Sequence, residues 1–445
     1  MKIIIVGAGA VGSIVAQKLS AENHDVTLIE TEDRAVANVQ RSLDALVLTG
    51  NGASWELLEE AGVKRTDILI AVTNVDEMNI LACQQASRYK VKTRVARVRN
   101  REYYLDDKTS SFPGIDHMIN PDEEAVREVH ELLLQPAATD IYDFADGRVQ
   151  VIGARVSAGA QVAGKTLQEI QAEVGSRWAL VAAITRDGVS IIPGGGERLL
   201  EGDHAFLVGR QGKISEAVRM LAEEKPRPNH IMIVGANRIG IRLAEQLSSE
   251  GIHVKLLDSS ESRAQRAGNR LDRALVIHGD ATEAELLLQE AVGEMDAFVS
   301  VSDDEQMNLT ASLLARHHGA GKTIALIKRP NYVPLAAVIG IDAAVSPRLS
   351  TARAIMRYFH HGNVLSATDL KDSEAEVLEM RATEDCPVVG TPLAKLDFPD
   401  HALVAAIIKP YQVVVPRGGD VIEPGDQVLV FTLPDAVRAV RRLFS

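Results

Sequence analysis

Along residues 1–120 short uninterrupted runs of Ile, Val and Leu alternate with longer stretches whose apolar positions recur at helical spacing. KIIIV (2–6), DVTLIE (25–30) and ALVL (45–48) are separated by segments such as SIVAQKLSAEN and SWELLEEAGV. Short, fully apolar strands between amphipathic helices predict a parallel sheet covered on both faces. The pattern changes near residue 150. VQVIGARV, a short helix around TLQEIQAEV, then ALVAAITRDGVSII and DHAFLVG set among glycine-rich turns predict a small mixed α+β sheet.

The whole pattern is written twice. IIIVGAGAVG (3–12) lies over IMIVGANRIG (231–240), DVTLIE over HVKLLD (253–258), VTNVDEMN (72–79) over VSDDEQMN (301–308), and GIDHMINP (114–121) over GIDAAVSP (340–347). The segment 179–209 repeats at 402–431. The predicted fold is therefore α/β, two Rossmann-like doubly wound parallel sheets, each followed by a small α+β lobe. The expected boundaries are 1–120 and 229–346 for the sheets, 121–138 and 347–363 for crossover helices, and 139–222 and 364–445 for the lobes. AEEKPRPN (222–229), charged and with two prolines, reads as the linker between halves.

Composition narrows the function. A chain of 445 residues, 46% hydrophobic, is long enough for several domains. Its formal charge of -13 excludes a nucleic-acid binder, which needs clustered positive charge to displace counterions. Only Cys83 and Cys386 are present, so neither a disulfide framework nor a cysteine zinc site is expected, and a reducing cytosol fits. The first strand starts at Lys2, and no stretch approaches ~18 uninterrupted apolar residues. Neither an export leader nor a membrane span is expected, so any membrane role would come through a partner.

Candidate chemistry sits where strands end. Gly7, Gly9 and Gly12 form G-x-G-x-x-G directly after a strand and before a helix, the setting in which this motif cradles a pyrophosphate at a helix N-terminus. Glu30 follows 18 residues beyond Gly12, placed to accept ribose hydroxyls and to repel a 2′-phosphate, which favours NAD(H) or an adenine nucleotide over NADP(H). Asn51 with Gly52, Thr73 with Asn74, and Arg97 stand at the ends of later strands. In the second copy Gly235, Gly240 and Asp258 keep the pattern, but Asn237 replaces the middle glycine, and Arg238 adds a positive charge. Asn can adopt the left-handed conformation, so that cradle is expected either to be retuned or to be lost. Asp280 with Ala281, Ser302 with Asp303, and Leu326 in the place of Arg97 complete the set. Thr73, Asn74, Ser302 and Asp303 also read as helix caps.

Three other motifs have simpler readings. GAQVAGKT (159–166) fits a P-loop pattern with Lys165 and Thr166, yet its duplicate lacks the lysine, so a glycine turn opening a helix is expected. The pairs His317–His318 and His360–His361 precede glycines and read as helix C-terminal caps. PDEEAVREVHELLL (121–134) and PRLSTARAIMRYF (347–359) read as helices that are candidates for packing against another subunit.

The A, B, A, B order, with VGAGAVG, VTNVDEMN and VARVR in the first half and IKRPNYVPLAAVIGIDAAVSP in the second, resembles the tandem RCK (KTN) family over essentially the full chain. Its tandem members are cytosolic regulatory subunits of Trk-type potassium uptake systems. The resemblance implies nucleotide contacts at Gly7, Ala8, Gly9, Ala10, Val11, Glu30, Thr73, Asn74 and Arg97, with Gly235, Ala236, Asn237, Arg238, Ile239 and Asp258 in the second half. It implies NAD(H), with ATP or ADP at one or both sites, a homo-oligomeric tetrameric ring, and a membrane-embedded potassium-translocating subunit of the TrkH type on the cytoplasmic face of the inner membrane. An NAD-dependent oxidoreductase is the competing class, but no His, Lys or Tyr cluster is placed for proton transfer. A regulator of a different ion channel is the alternative within the family.

Overall fold

The computed structural model describes residues 1–21, 24–43, 45–104, 112–174, 179–221, 227–358 and 364–445. The His360–His361 pair and the first part of the expected linker, 222–226, lie outside the described residues.

The first sheet consists of β1 (Lys2–Val6), β2 (Asp25–Glu30), β3 (Leu46–Thr49), β4 (Ile68–Ala71), β5 (Thr93–Arg97) and β6 (His117–Ile119), all parallel, in the order β3-β2-β1-β4-β5-β6. Ile3, Ile4, Ile5 and Val6 are all buried, as a strand covered on both faces requires. Strand order reverses between β1 and β4, which opens a crevice at their carboxyl ends. Helix α1 (Ala10–Ala21) leaves β1 through the glycine turn, and α2 (Pro121–Leu134) follows β6.

The first lobe is a five-stranded sheet of β7 (Ala138–Phe144), β8 (Val149–Arg155), β9 (Ala179–Arg186), β10 (Val189–Ile191) and β11 (His204–Arg210), ordered β10-β9-β11-β8-β7. Its pairings are antiparallel throughout rather than mixed, because each connection is a tight turn or returns over one face.

The second half repeats the plan. Strands β12 (His230–Val234), β13 (His253–Asp258), β14 (Ala274–His278), β15 (Ala297–Ser300), β16 (Thr323–Leu326) and β17 (Ala343–Val345) take the order β14-β13-β12-β15-β16-β17, with α3 (Arg238–Ser249) after β12 and α4 (Pro347–Met356) after β17. The last sheet, β18 (Val364–Asp369), β19 (Glu376–Arg381), β20 (Ala402–Ile408), β21 (Val413–Val414) and β22 (Gln427–Thr432), is again antiparallel.

The compact units do not follow the halves. One unit comprises Met1–Arg127 with Leu326–Pro330 and Val345–Tyr358, and the other comprises the rest. In the first unit α4, encoded in the second half, packs against α1 and β6. Arg357 donates to Glu124 at 2.9 Å, and Tyr358 stacks on His117 at a centroid distance of 3.7 Å. In the second unit the two lobes share one core, in which Phe206 and Val151 meet Leu429 and Phe431. There the buried Lys322 ammonium donates to the carbonyls of Leu132, Gln135 and Ala138 at 2.6, 3.0 and 2.7 Å, satisfying acceptors that the end of α2 leaves open. No helix among the described residues is long and apolar enough to cross a membrane.

Candidate functional site

The three glycines of the first turn serve different purposes. Gly7 has φ +102°, and a Cβ there would meet the Thr73 amide nitrogen at 2.9 Å. A Cβ on Gly12 would lie 1.9 Å from the Gly7 carbonyl oxygen, so these two residues let strand, helix and neighbouring loop touch. At Gly9 a Cβ would meet nothing within 4 Å. That position is exposed and opens on a cavity of about 330 Å³ lined by Gly7, Gly9, Ala10, Val11, Glu30, Thr73, Asn74, Arg97 and Arg348, among others.

Glu30 ends β2 at the cavity wall. Its Oε2 accepts from the Ala8 amide at 2.6 Å, and its Oε1 accepts from the amides of Thr31 and Glu32 at 2.7 and 3.1 Å. Partial burial pushes this carboxyl up, but the Glu32, Ala8 and Thr31 amides outweigh it and hold the group below the usual carboxylate range. Opposite, Arg97 donates from Nη1 to the Thr73 carbonyl at 2.8 Å and to Asn74 Oδ1 at 3.1 Å. Burial, then Arg99 and Arg348 nearby, lower its pKa against the opposing charges of Asp76 and Asp122, and its Nε has no partner among the described residues.

The Thr73 loop is fixed from beneath by Asn79, which is fully buried. Its Oδ1 accepts from the Thr73 amide and hydroxyl at 2.8 Å each, and its Nδ2 donates to the carbonyls of Thr73 and Arg97. Sequence reasoning missed this residue, although the shared last letter of VTNVDEMN and VSDDEQMN was a usable signal. Asn308 repeats the arrangement under Ser302. Thr73 and Ser302 therefore do not cap the following helices. Their hydroxyl oxygens close the turn by accepting from the amides of Val75 and Asp304, and the cap on helix Glu305–His317 is Asp304, which accepts from Gln306 and Met307. Asn51 accepts from the Ala53 amide in a local turn, while its neighbours Gly50 and Gly52 reach the cavity.

The second turn shares the packing and differs in the middle. Gly235 has φ +109°, and a Cβ on Gly240 would again lie 1.9 Å from a carbonyl oxygen, that of Gly235. Asn237 is extended, φ -89° and ψ -172°, not left-handed. It is the N-cap of α3. Its Oδ1 accepts from the amides of Ile239 and Gly240 at 3.0 and 3.1 Å, and its Nδ2 donates to the Val301 carbonyl at 2.6 Å. The amides that a phosphate would use are thus partly taken by the chain itself. Asp258 is equally engaged: it accepts from the Ala236 and Ser260 amides at 2.7 Å each and pairs with the Arg263 guanidinium at 2.9 Å. Arg238 is exposed on the first turn of α3, Asp280 accepts from Thr282, and Leu326 is buried.

The P-loop-like segment opens a helix, as its simpler reading expected. Glu169 and Thr166 form a reciprocal capping box, and Lys165 pairs with Glu173 at 2.6 Å. His317 ends its helix and His318 is the C-cap.

A family model described as the TrkA-N domain matches residues 3–121 and 231–347, and one described as the TrkA-C domain matches 151–222 and 377–445. The chain belongs to the TrkA family. "Trk system potassium uptake protein TrkA homolog 2" of Methanosarcina mazei is 35% identical over 454 residues, covering 100% of both chains. "Trk system potassium uptake protein TrkA" of Halomonas elongata is 32% identical over 452 residues, covering 100% of this chain and 99% of the relative. Among solved structures, "GsuK channel bound to NAD" superposes with a TM-score of 0.60 at 18% identity, over 100% of this chain and 78% of that one, a likeness of fold. The duplicated TrkA-N and TrkA-C matches coincide with the repeated sheet and lobe seen here. In this TrkA-family chain the copies differ at the middle position of the turn, Gly9 against Asn237, and at the end of the fifth strand of each sheet, Arg97 against Leu326.

Proposed function

We propose that this chain is a non-catalytic, nucleotide-sensing regulatory subunit of a potassium uptake system. The observation that carries this reading is the open first turn: free space over Gly9, a helix N-terminus behind it, an ionised Glu30 on one wall and Arg97 on the other. That donor set fits the phosphates and ribose of NAD(H), ATP or ADP, with Gly7 to Gly12 facing the phosphates, Glu30 the ribose, and Thr73, Asn74 and Arg97 the far side. Gly235 to Ile239, Asp258 and Asp280 form a second cradle that takes nucleotide only when Arg263 releases Asp258. Family membership and the likeness to a channel solved with NAD support ligand sensing on a homo-oligomeric ring, taken as tetrameric, against a membrane-embedded potassium-translocating partner at the cytoplasmic face.

Sensing requires unequal affinity of the ligand for two arrangements of the ring, and a coupling of about 1–3 kcal/mol changes the favoured arrangement about 5- to 150-fold. Calorimetry of the full chain with NADH, NAD, ATP and ADP tests the reading. A single tight site per chain is expected, weakened by Glu30→Ala. No heat with any of the four overturns it, as does sustained turnover of NADH with a small metabolite.

A further inference from the structure

Arg348 is out of place by ordinary helix rules. It is the second residue of α4, where the helix dipole is positive and disfavours a cation. The matching position of α2 is Asp122, and there Asn120 caps the helix by accepting from the amides of Asp122 and Glu123. The start of α4 has no such arrangement. Ser346 makes no side-chain cap, and its buried hydroxyl has no hydrogen-bond partner among the described residues. α4 thus begins without a side-chain cap and with a positive charge in its first turn.

Both are in the first unit, and Arg348 lines the same cavity as Gly9, Glu30 and Arg97. Arg348 is exposed and makes no ion pair among the described residues. Arg97 lies near both Arg348 and Arg99. Arg99 is matched by Asp122 at 3.4 Å, but Arg97 contacts only a carbonyl and an amide oxygen and keeps an unpartnered, buried Nε. Of the two glutamates that line the cavity, Glu30 is already held by the amides of Ala8, Thr31 and Glu32, and Glu32 stands beside it on the β2 side. Arg97 and Arg348 thus line the cavity without a salt bridge among the described residues; Asp76 and Asp122 offset part of the charge of Arg97, and the exposed Arg348 leaves that side of the cavity suited to an added anion.

We infer that Arg348, supplied by the crossover helix of the second half, recognises a phosphate of the nucleotide in the first-half cavity, so that the ligand fastens α4 to the turn before α1. This rests on the proposed nucleotide site and adds to it the residue that reads ligand charge. Because α4 joins the second sheet to the second lobe, a phosphate held by Arg348 gives the second half a direct stake in what the first half binds.

The test uses the full chain and the variants Arg348→Gln and Arg348→Lys, with calorimetry against ATP, ADP and adenosine, and hydrogen exchange on residues 347–356. Arg348→Gln should weaken ATP about tenfold, ADP less, and adenosine not at all, with Arg348→Lys recovering most of the loss. ATP should slow exchange in 347–356 of the wild type and not of Arg348→Gln. Equal affinities for ATP in wild type and Arg348→Gln, or a uniform loss that includes adenosine, overturn the inference while leaving the nucleotide site standing. A wild-type chain that binds none of the ligands removes both. Unchanged melting of Arg348→Gln without ligand is expected from its exposed position.

Discussion

The two glycine turns start from nearly the same letters and end as different surfaces. In both, the first and third glycines are demanded by contact: a Cβ at Gly12 or Gly240 would sit 1.9 Å from a carbonyl oxygen, and Gly7 and Gly235 both have positive φ. The middle position is under no such demand. In the first turn it is left bare, and the helix amides and Glu30 face a cavity; in the second, Asn237 takes the amides and Arg263 takes the carboxylate. The comparison teaches that the fold itself holds the packing glycines, whereas the groups that would face a ligand can be turned inward and used as structure.

The largest test concerns what the turns share. Gly12→Ala and Gly240→Ala should each destabilise their sheet by about 3–4 kcal/mol, because backbone must move to relieve the contact. Chemical denaturation checks this, and a variant as stable as wild type would break the shared part of the comparison. A second test contrasts the lobes, where His204 of the first aligns with Gln427 of the second. Burial, against Asp140 and together with Arg155 and Lys371, depresses His204 to about 4. A depressed histidine contributes stability above its unfolded value near 6.5, and that contribution is lost as pH falls from about 6.5 to about 4. The loss should reach about 3 kcal/mol at pH 4 and be absent in His204→Gln, as read by urea denaturation across that range.

Gly9→Asn makes the first turn resemble the second. Nucleotide affinity should fall about 30-fold, near 2 kcal/mol, with melting unchanged because nothing lies within 4 Å of the new side chain's root. Undiminished binding in calorimetry would show that the middle position does not govern access. The reverse change, Asn237→Gly, removes a cap and should cost about 1 kcal/mol of stability. Combined with Arg263→Ala it should raise the calorimetric stoichiometry from one nucleotide per chain toward two.

Strand positions, sheet direction and the duplication were legible because apolar runs such as KIIIV and HIMIV leave little choice of environment. Asn237 as a cap was readable too, since Asn before a helical stretch is a capping signal, but comparison with Gly9 suggested a left-handed residue instead. The partnership of Asp258 with Arg263 was not readable. The two are five residues apart across a strand end and the start of a helix, so only the turn between them brings them together. Arg348 was beyond reach for a larger reason: its relation to Gly9 depends on which sheet a crossover helix chooses, and both sheets offer nearly the same apolar face.

That choice of sheet has a consequence for dissection of the gene. α4 is an exchanged element, the intramolecular counterpart of a swapped dimer. Cut within residues 222–229, the N-terminal fragment would carry the turn and Glu30 but would lack the helix that rests on α1. Such a fragment should recruit an α4 from the other fragment, and the two pieces mixed together should reassemble rather than behave as independent proteins.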